Sequence, residues 1–297
     1  MKSIISITDL FADQIKKIVI KAIELKNQGN HNDLPFKNKS MAMIFDKPSL
    51  RTRLSFETGM TQLGGHAVYL APADIGLGVR ETVRDSAIVI SSMVDVIVAR
   101  VSSHEAVKEL AQYSSVPVIN AMTDLEHPCQ VLADLQTIHE NFGRFDGLKL
   151  AYLGDANNNV TNSLALVAEL MDMEMSIAAP NGYQMSKEIA ARATSVKHFE
   201  DPKKAIDGAH VVITDTWVSM GKEAEQATRL ADLEPFQVNK ALMGLADKRA
   251  IFMHCLPAYR GKEVTAEVID GPQSMVFAEA ENRLHAQKAL LLYLLDA

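Results

Sequence analysis

Short apolar runs alternate with amphipathic stretches twice along this chain, and that alternation restricts the fold more than any other feature. Runs at residues 41–45, 66–71, 94–101 and 116–120 read as strands, with helical patterns between them. A second series follows at residues 148–153, 175–179, 211–214 and 251–253. Residues 141–147, polar and carrying two glycines, separate the two series. Strand–helix alternation is the signature of a parallel sheet with crossover helices. The expected fold is therefore α/β, with two doubly wound parallel-sheet domains facing a cleft. Residues 1–140 form the first domain, residues 147–278 the second, and a C-terminal helix over 279–297 packs back on the first. A chain of 297 residues fits that division and can bury a sizeable core.

The first strand leads into Asp46-Lys47-Pro48-Ser49-Leu50-Arg51-Thr52-Arg53. Pro48 keeps Lys47 out of the helical region, which puts a helix start at Ser49 or just after it. Two hydroxyls, two guanidiniums and the unpaired backbone N–H groups of a helix N-terminus would converge there. Cations at that end oppose the helix dipole, so a solvated basic first turn is the weaker reading and a bound anion the stronger one. Arginine offers a planar fork to phosphate oxygens.

Composition narrows the options. The formal net charge of −7 and the lack of a Lys/Arg stripe with interleaved aromatics argue against nucleic-acid binding. No apolar stretch is long enough to span a bilayer, the longest being interrupted by Asp95. Two cysteines, Cys129 and Cys255, make no disulfide framework and suit a reduced, cytoplasmic setting. No Gly-x-Gly-x-x-Gly or P-loop spacing is present, and no His/Cys/Asp/Glu set has metal-ligand spacing. Neither a cofactor nor a metal is expected.

Other chemistry-bearing groups fall at strand C-terminal ends, where open α/β sheets bind ligands. His127-Pro128-Cys129-Gln130 offers an imidazole and an amide at a strand-to-helix junction, able to meet a carbonyl oxygen and an NH₂. Read alone, it is equally a helix start with a packed cysteine. Arg100 closes a strand. Asp215 stands at another strand end before Ser219-Met220-Gly221, and a carboxylate there suits an ammonium group, or serves as a loop acid. Cys255 is open to two readings, a thiol activated by nearby arginines or a small buried hydrophobe.

These segments, with His254-Cys255-Leu256-Pro257 and Glu281-Asn282-Arg283-Leu284-His285, occur in an order that closely resembles the ornithine carbamoyltransferases. The resemblance spans nearly the whole chain, and the aspartate-using relatives should lack the Ser-Met-Gly and His-Cys-Leu-Pro signatures. It implies that Ser49, the Leu50 backbone N–H, Arg51, Thr52 and Arg100 bind the phosphate of carbamoyl phosphate. Thr52, Arg100 and His127 would surround the carbonyl oxygen. Gln130 and the backbone at Cys255 and Leu256 would take the carbamoyl NH₂, with Arg283 close by and Pro128 and Cys129 in the same binding segment. Asn159, or Asn158 in a shifted register, would hold L-ornithine with Asp215, Ser219 and Met220. Arg51, Arg100, His127 and Cys255 are the expected catalytic set. The family's active unit is a homotrimer with sites near subunit contacts.

Two positions depart from the family pattern. Leu50 replaces a frequent Thr or Ser, which matters little if only its N–H is used. Gly76 stands where the family often has a phosphate-binding glutamine, leaving Arg80 or a neighbouring subunit as the substitute. The implied reaction is attack of the ornithine δ-amine on the carbamoyl carbon, giving citrulline and phosphate. Another amine, such as putrescine or a modified ornithine, is the alternative acceptor, and a non-catalytic anion-binding protein the alternative class.

Overall fold

The computed structural model describes residues 3–29, 34–218 and 223–295. The chain divides into two compact units, Met1–Gln136 with Glu281–Ala297, and Thr137–Ala280. The first unit carries β1 (Ser40–Phe45), β2 (His66–Leu70), β3 (Val96–Arg100) and β4 (Val118–Met122). Around them lie α1 (Ala12–Gln28), α2 (Leu50–Gln62), the single turn α3 (Pro72–Ile75), α4 (Val83–Ser91), α5 (His104–Tyr113) and the start of α6 (Pro128–Phe142). All strand pairs are parallel, in the order β2-β1-β3-β4.

Met41, Ala42, Met43, Ile44 and Phe45 are each at most 2% exposed, as a central strand covered on both faces requires. Strand β2, at the sheet edge, has only exposed and half-buried positions. Helix starts follow local capping chemistry. The Ser49 hydroxyl accepts from Thr52 N at 3.4 Å, and the Ser103 hydroxyl from Ala106 N at 3.1 Å.

The second unit contains β5 (Lys149–Leu153), β6 (Glu174–Ala178), β7 (Lys197–Phe199), β8 (Val211–Ile213) and β9 (Ile251–Met253). They form one parallel sheet in the order β7-β6-β5-β8-β9. Its helices are α7 (Asn159–Leu170), α8 (Lys187–Arg192), α9 (Pro202–Ile206), α10 (Gln226–Leu233), α11 (Lys240–Met243) and α12 (Ala266–Ile269), followed by the start of α13 (Val276–Leu294). Strand β7 carries no apolar run, since Lys197-His198-Phe199 is an exposed edge segment, and sequence periodicity does not find it. Helix α7 begins at Asn159 because Asn158 caps it, its Oδ1 accepting from Thr161 N at 2.9 Å.

The end of α13 packs on the first unit, as the sequence leads one to expect. Gly59 on α2 lies against it: a Cβ there would stand 3.1 Å from Lys288 Cγ and 3.5 Å from Leu284 Cδ1, a close but not forbidding contact. Lys288 Nζ donates to Gln62 Oε1 at 3.0 Å. Among the described residues, no helix is long and apolar enough to cross a membrane.

Each sheet has one point where successive connections leave in opposite directions, between β1 and β3 in the first unit and between β5 and β8 in the second. Ligands of open α/β sheets bind outside strand C-termini at such switch points. The turn carrying Arg51 follows β1, and Arg100 ends β3. Asn157 to Asn159 follow β5, and Asp215 follows β8.

Candidate active site: polar clusters at the two switch points

In the first unit, the Thr52 hydroxyl is the meeting point. Arg100 Nη1 donates to its oxygen at 3.3 Å and Arg283 Nη2 at 3.2 Å. Arg283 also donates through Nη1 to Gln130 Oε1 at 2.7 Å, and Gln130 Nε2 donates to Asp134 Oδ1 at 2.8 Å. Thr52, Gln130, Asp134 and Arg283 are all buried, and Arg100 nearly so. The β3–β4 register shifts between Ala99 and Arg100, the kind of local irregularity that re-aims a side chain at a strand end.

His127 lies buried in the same cluster. Burial, and then the charges of Arg283, Arg100 and Arg51, hold its imidazole well below the ordinary histidine range. A neutral ring is therefore the stable form at physiological pH, able to donate one N–H to a carbonyl oxygen and poorly suited to act as a base. Arg51 is half-buried beside it, whereas Leu50 is exposed at the first helical position. Cys129 is buried with Sγ 3.4 Å from Asn120 O, and burial pushes its thiol up to about 12. Pro128 is the first residue of α6, where a proline costs no helical hydrogen bond.

One expectation needs correction. Arg53 does not join the cluster: its guanidinium pairs with Glu57 at 3.1 Å and stacks 3.8 Å from the Tyr69 ring centroid, on the exposed side of α2. Positions two apart on a helix face different ways, so Arg51 and Arg53 cannot converge. Gly76 closes α3 in the left-handed region with φ +53°, and Arg80 is exposed.

In the second unit, Asp215 leaves β8 half-buried, and Cys255 Sγ donates to its Oδ1 at 3.3 Å. Burial raises the Asp215 carboxyl above its ordinary value, partly offset by His254 and by the Thr216 backbone N–H. Cys255 and Leu256 follow β9 in a turn where Leu256 adopts φ +59°. Buried His254 holds that turn: its Nδ1 accepts from Leu256 N at 2.9 Å, and its own backbone N–H donates to Glu279 Oε2 at 2.8 Å. Its Nε2 stands 3.4 Å from Glu263 Oε1, within ion-pair range but short of hydrogen-bond geometry.

The turn after β5 separates the two asparagines. Asn158 caps α7 through Oδ1, and its Nδ2 donates to Tyr152 Oη at 2.9 Å and to Asp155 O at 2.6 Å. Its amide thus serves the local fold, and Asn159 stands half-buried at the first helical position. Ser219 and Met220, with Gly221, lie outside the described residues.

Among the described residues, the set that could hold a metal is Asp215, His254 and Cys255, whose ligand atoms lie within 4.8 Å of one another. Linear spacing does not reveal it, because tertiary folding joins β8 to β9. Here Asp215 and Cys255 bond each other, and His254 Nδ1 already serves Leu256. Sequence reading also misses Asp134. The four-residue spacing from Gln130 on one helix was the available signal for it.

A two-unit α/β fold with a buried guanidinium cluster at one switch point and a partly buried carboxylate at another has the chemistry to suit an anionic and a cationic small molecule. The chain belongs to the aspartate/ornithine carbamoyltransferase family: the carbamoyl-P binding domain model matches residues 2–140 and the Asp/Orn binding domain model residues 146–294. It is 50% identical over 303 residues to the ornithine carbamoyltransferase of Methanobrevibacter smithii, covering 99% of this chain and 100% of that one. To the enzyme of the same name from Methanosarcina mazei it is 49% identical over 300 residues, covering 99% of each. The solved ornithine carbamoyltransferase of Pyrococcus furiosus superposes with a TM-score of 0.95 at 43% identity, covering 100% of this chain and 97% of that one. That of Thermus thermophilus gives 0.91 at 43% identity, covering 99% of each.

Proposed function

We propose that this protein transfers the carbamoyl group of carbamoyl phosphate to the δ-amine of L-ornithine, giving L-citrulline and phosphate. The observation that carries the choice of amine is Asp215, a partly buried carboxylate at the β8 switch point. An ammonium-bearing substrate complements it, whereas aspartate, with two carboxylates, would be repelled.

In this reading the N-terminus of α2, through Ser49, the Leu50 N–H, Arg51 and Thr52, holds the phosphate together with Arg100. Thr52, Arg100 and neutral His127 donate to the carbamoyl oxygen, where negative charge grows as the tetrahedral intermediate forms. Each such donor contributes about 10²–10³ in rate. Gln130 Oε1 and the backbone at Cys255 and Leu256 accept from the carbamoyl NH₂, with Arg283 beside them. Asp215, Asn159, Ser219 and Met220 hold ornithine.

The nitrogen lone pair attacks the carbamoyl carbon, the bond from that carbon to the phosphate oxygen breaks, and phosphate departs. An alkyl amine with a pKa of about 10.4 is mostly protonated at neutral pH, so the site has to take or generate its neutral form. His127 is too weak a base to accept that proton, and the departing phosphate accepts it instead.

A homotrimer completes the reading. Several apolar side chains of the first unit face solvent, including Val79 at 93% exposure and Met93 at 74%, a burden that subunit contact would relieve. A neighbouring copy would then also supply the contact that Gly76 lacks. Two free cysteines, one donating its thiol proton to a carboxylate, suit a reducing compartment such as the cytoplasm. The test is citrulline formation against a panel of ornithine, putrescine and modified ornithines across pH. Carbamoylation of another panel amine in preference to ornithine would sink the substrate assignment.

A further inference from the structure

Gln130 is a side chain whose two ends are chemically different but nearly equal in shape, and its orientation decides what the site recognises. With its oxygen toward the ligand it accepts from an NH₂; turned over, it presents a second donor and repels one. Two neighbours fix the choice. Asp134, one turn further along α6, takes only hydrogen-bond donors when ionised and holds Nε2 at 2.8 Å. Arg283, which can only donate, holds Oε1 at 2.7 Å. Only one orientation satisfies both, and all three side chains are at most 2% exposed, so water cannot make up for a wrong one.

We propose that Asp134 is the positioning residue that orients Gln130, and thereby makes the site select an acyl phosphate bearing NH₂ over one bearing a methyl group. The proposal rests on the carbamoyl-transfer reading and adds a specificity determinant to it. Arg283 alone does not supply the selectivity, because its fork is shared between Gln130 and Thr52 and it also faces the ligand's cluster. Asp134 does not touch the ligand in this scheme and acts through the amide. A site built around a hydrogen-bonded NH₂ rejects the isostere that lacks it, since Gln130 Oε1 then loses that partner.

The test compares carbamoyl phosphate with acetyl phosphate, which has CH₃ in place of NH₂. Full-length wild type, Asp134→Asn, Gln130→Met and the double variant are assayed for citrulline formation. The KM for carbamoyl phosphate and the inhibition constants of acetyl phosphate and inorganic phosphate are measured for each. Asparagine can offer either a donor or an acceptor, so it no longer dictates which way the Gln130 amide faces. The preference for carbamoyl over acetyl phosphate should fall roughly tenfold in Asp134→Asn. It should fall at least as far in Gln130→Met and no further in the double variant. Inorganic phosphate, held at the start of α2, should bind all four proteins within about twofold.

An unchanged preference in Asp134→Asn overturns the proposal. So does a parallel loss of phosphate and carbamoyl phosphate affinity, or an additive effect in the double variant, because each marks Asp134 as merely structural. Should Asp134→Asn not fold, Asp134→Ser, which leaves room for a water, carries the same expectation. Wild type that makes no citrulline would overturn the carbamoyl-transfer reading itself and this proposal with it. Wild type that makes citrulline, with selectivity unmoved in the variants, overturns only the role given to Asp134.

Discussion

Arg283 reaches Thr52 across 231 positions of sequence, its Nη2 donating to the hydroxyl oxygen at 3.2 Å. The end of the chain thereby supplies a guanidinium to the turn that follows the first strand. Arg283→Lys keeps the charge but cannot bridge Gln130 and Thr52 with one planar fork. Steady-state kinetics should show a carbamoyl phosphate KM raised about tenfold or more, with ornithine KM little changed. Equal effects on both substrates would contradict the place given to Arg283.

The two arginines of the basic turn should behave oppositely. Arg51→Ala should lower turnover by about 10² or more with the fold intact, if its cation holds the phosphate as proposed. Arg53→Ala loses only an exposed, solvent-screened pair with Glu57 and should retain turnover within a few-fold. Wild-type kinetics in the Arg51 variant would refute its role.

Asp215 sets function against stability. Its carboxyl is raised by burial, so the folded protein disfavours the charged form and its ionisation opposes folding at neutral pH. Asp215→Asn should unfold at the same temperature as wild type or a higher one, yet show an ornithine KM raised about a hundredfold. Differential scanning calorimetry alongside kinetics checks both; a destabilised variant with normal ornithine KM would mean the carboxylate is structural.

The paired asparagines separate in the same way. Asn158→Ala removes a helix cap and two further donations, and should cost about 1–2 kcal/mol in denaturant unfolding. Asn159→Ala should raise the ornithine KM. The reverse pattern would assign the ligand contact to Asn158.

His127 gives a pH signature. Its folded value lies well below the ordinary one, so on acidification the unfolded chain takes up a proton before the folded chain does. The stability this imparts is fully present above about pH 6.5. It is lost as pH falls from there toward the folded value, at up to about 1.4 kcal/mol per pH unit. Urea unfolding of His127→Gln should show a shallower acid slope than wild type; identical slopes would mean that the ring titrates normally.

Much of this was legible in the sequence because it rests on local rules. Periodicity marks β1 and β5 as buried strands, Pro48 and Ser49 fix the start of α2, and strand ends nominate Arg100, His127 and Asp215. Where local rules mislead, the cause is rotation or distance. Arg53 sits beside Arg51 in sequence, but the helix turns it toward Glu57 and Tyr69. The edge strand β7 lacks an apolar run, and its place comes from pairing with β6.

The sequence by itself determined the alternation of strands and helices, the helix start that offers N–H groups to an anion, and the residue types at each strand end. Only the tertiary structure decided which of these meet. Thr52, Arg100, Gln130 and Arg283 come from α2, β3, α6 and α13, and the strand order of the sheet brings those segments to one place. The geometry of Asp134, Gln130 and Arg283 likewise depends on which turn of α13 meets α6, a juxtaposition that no short-range pattern encodes.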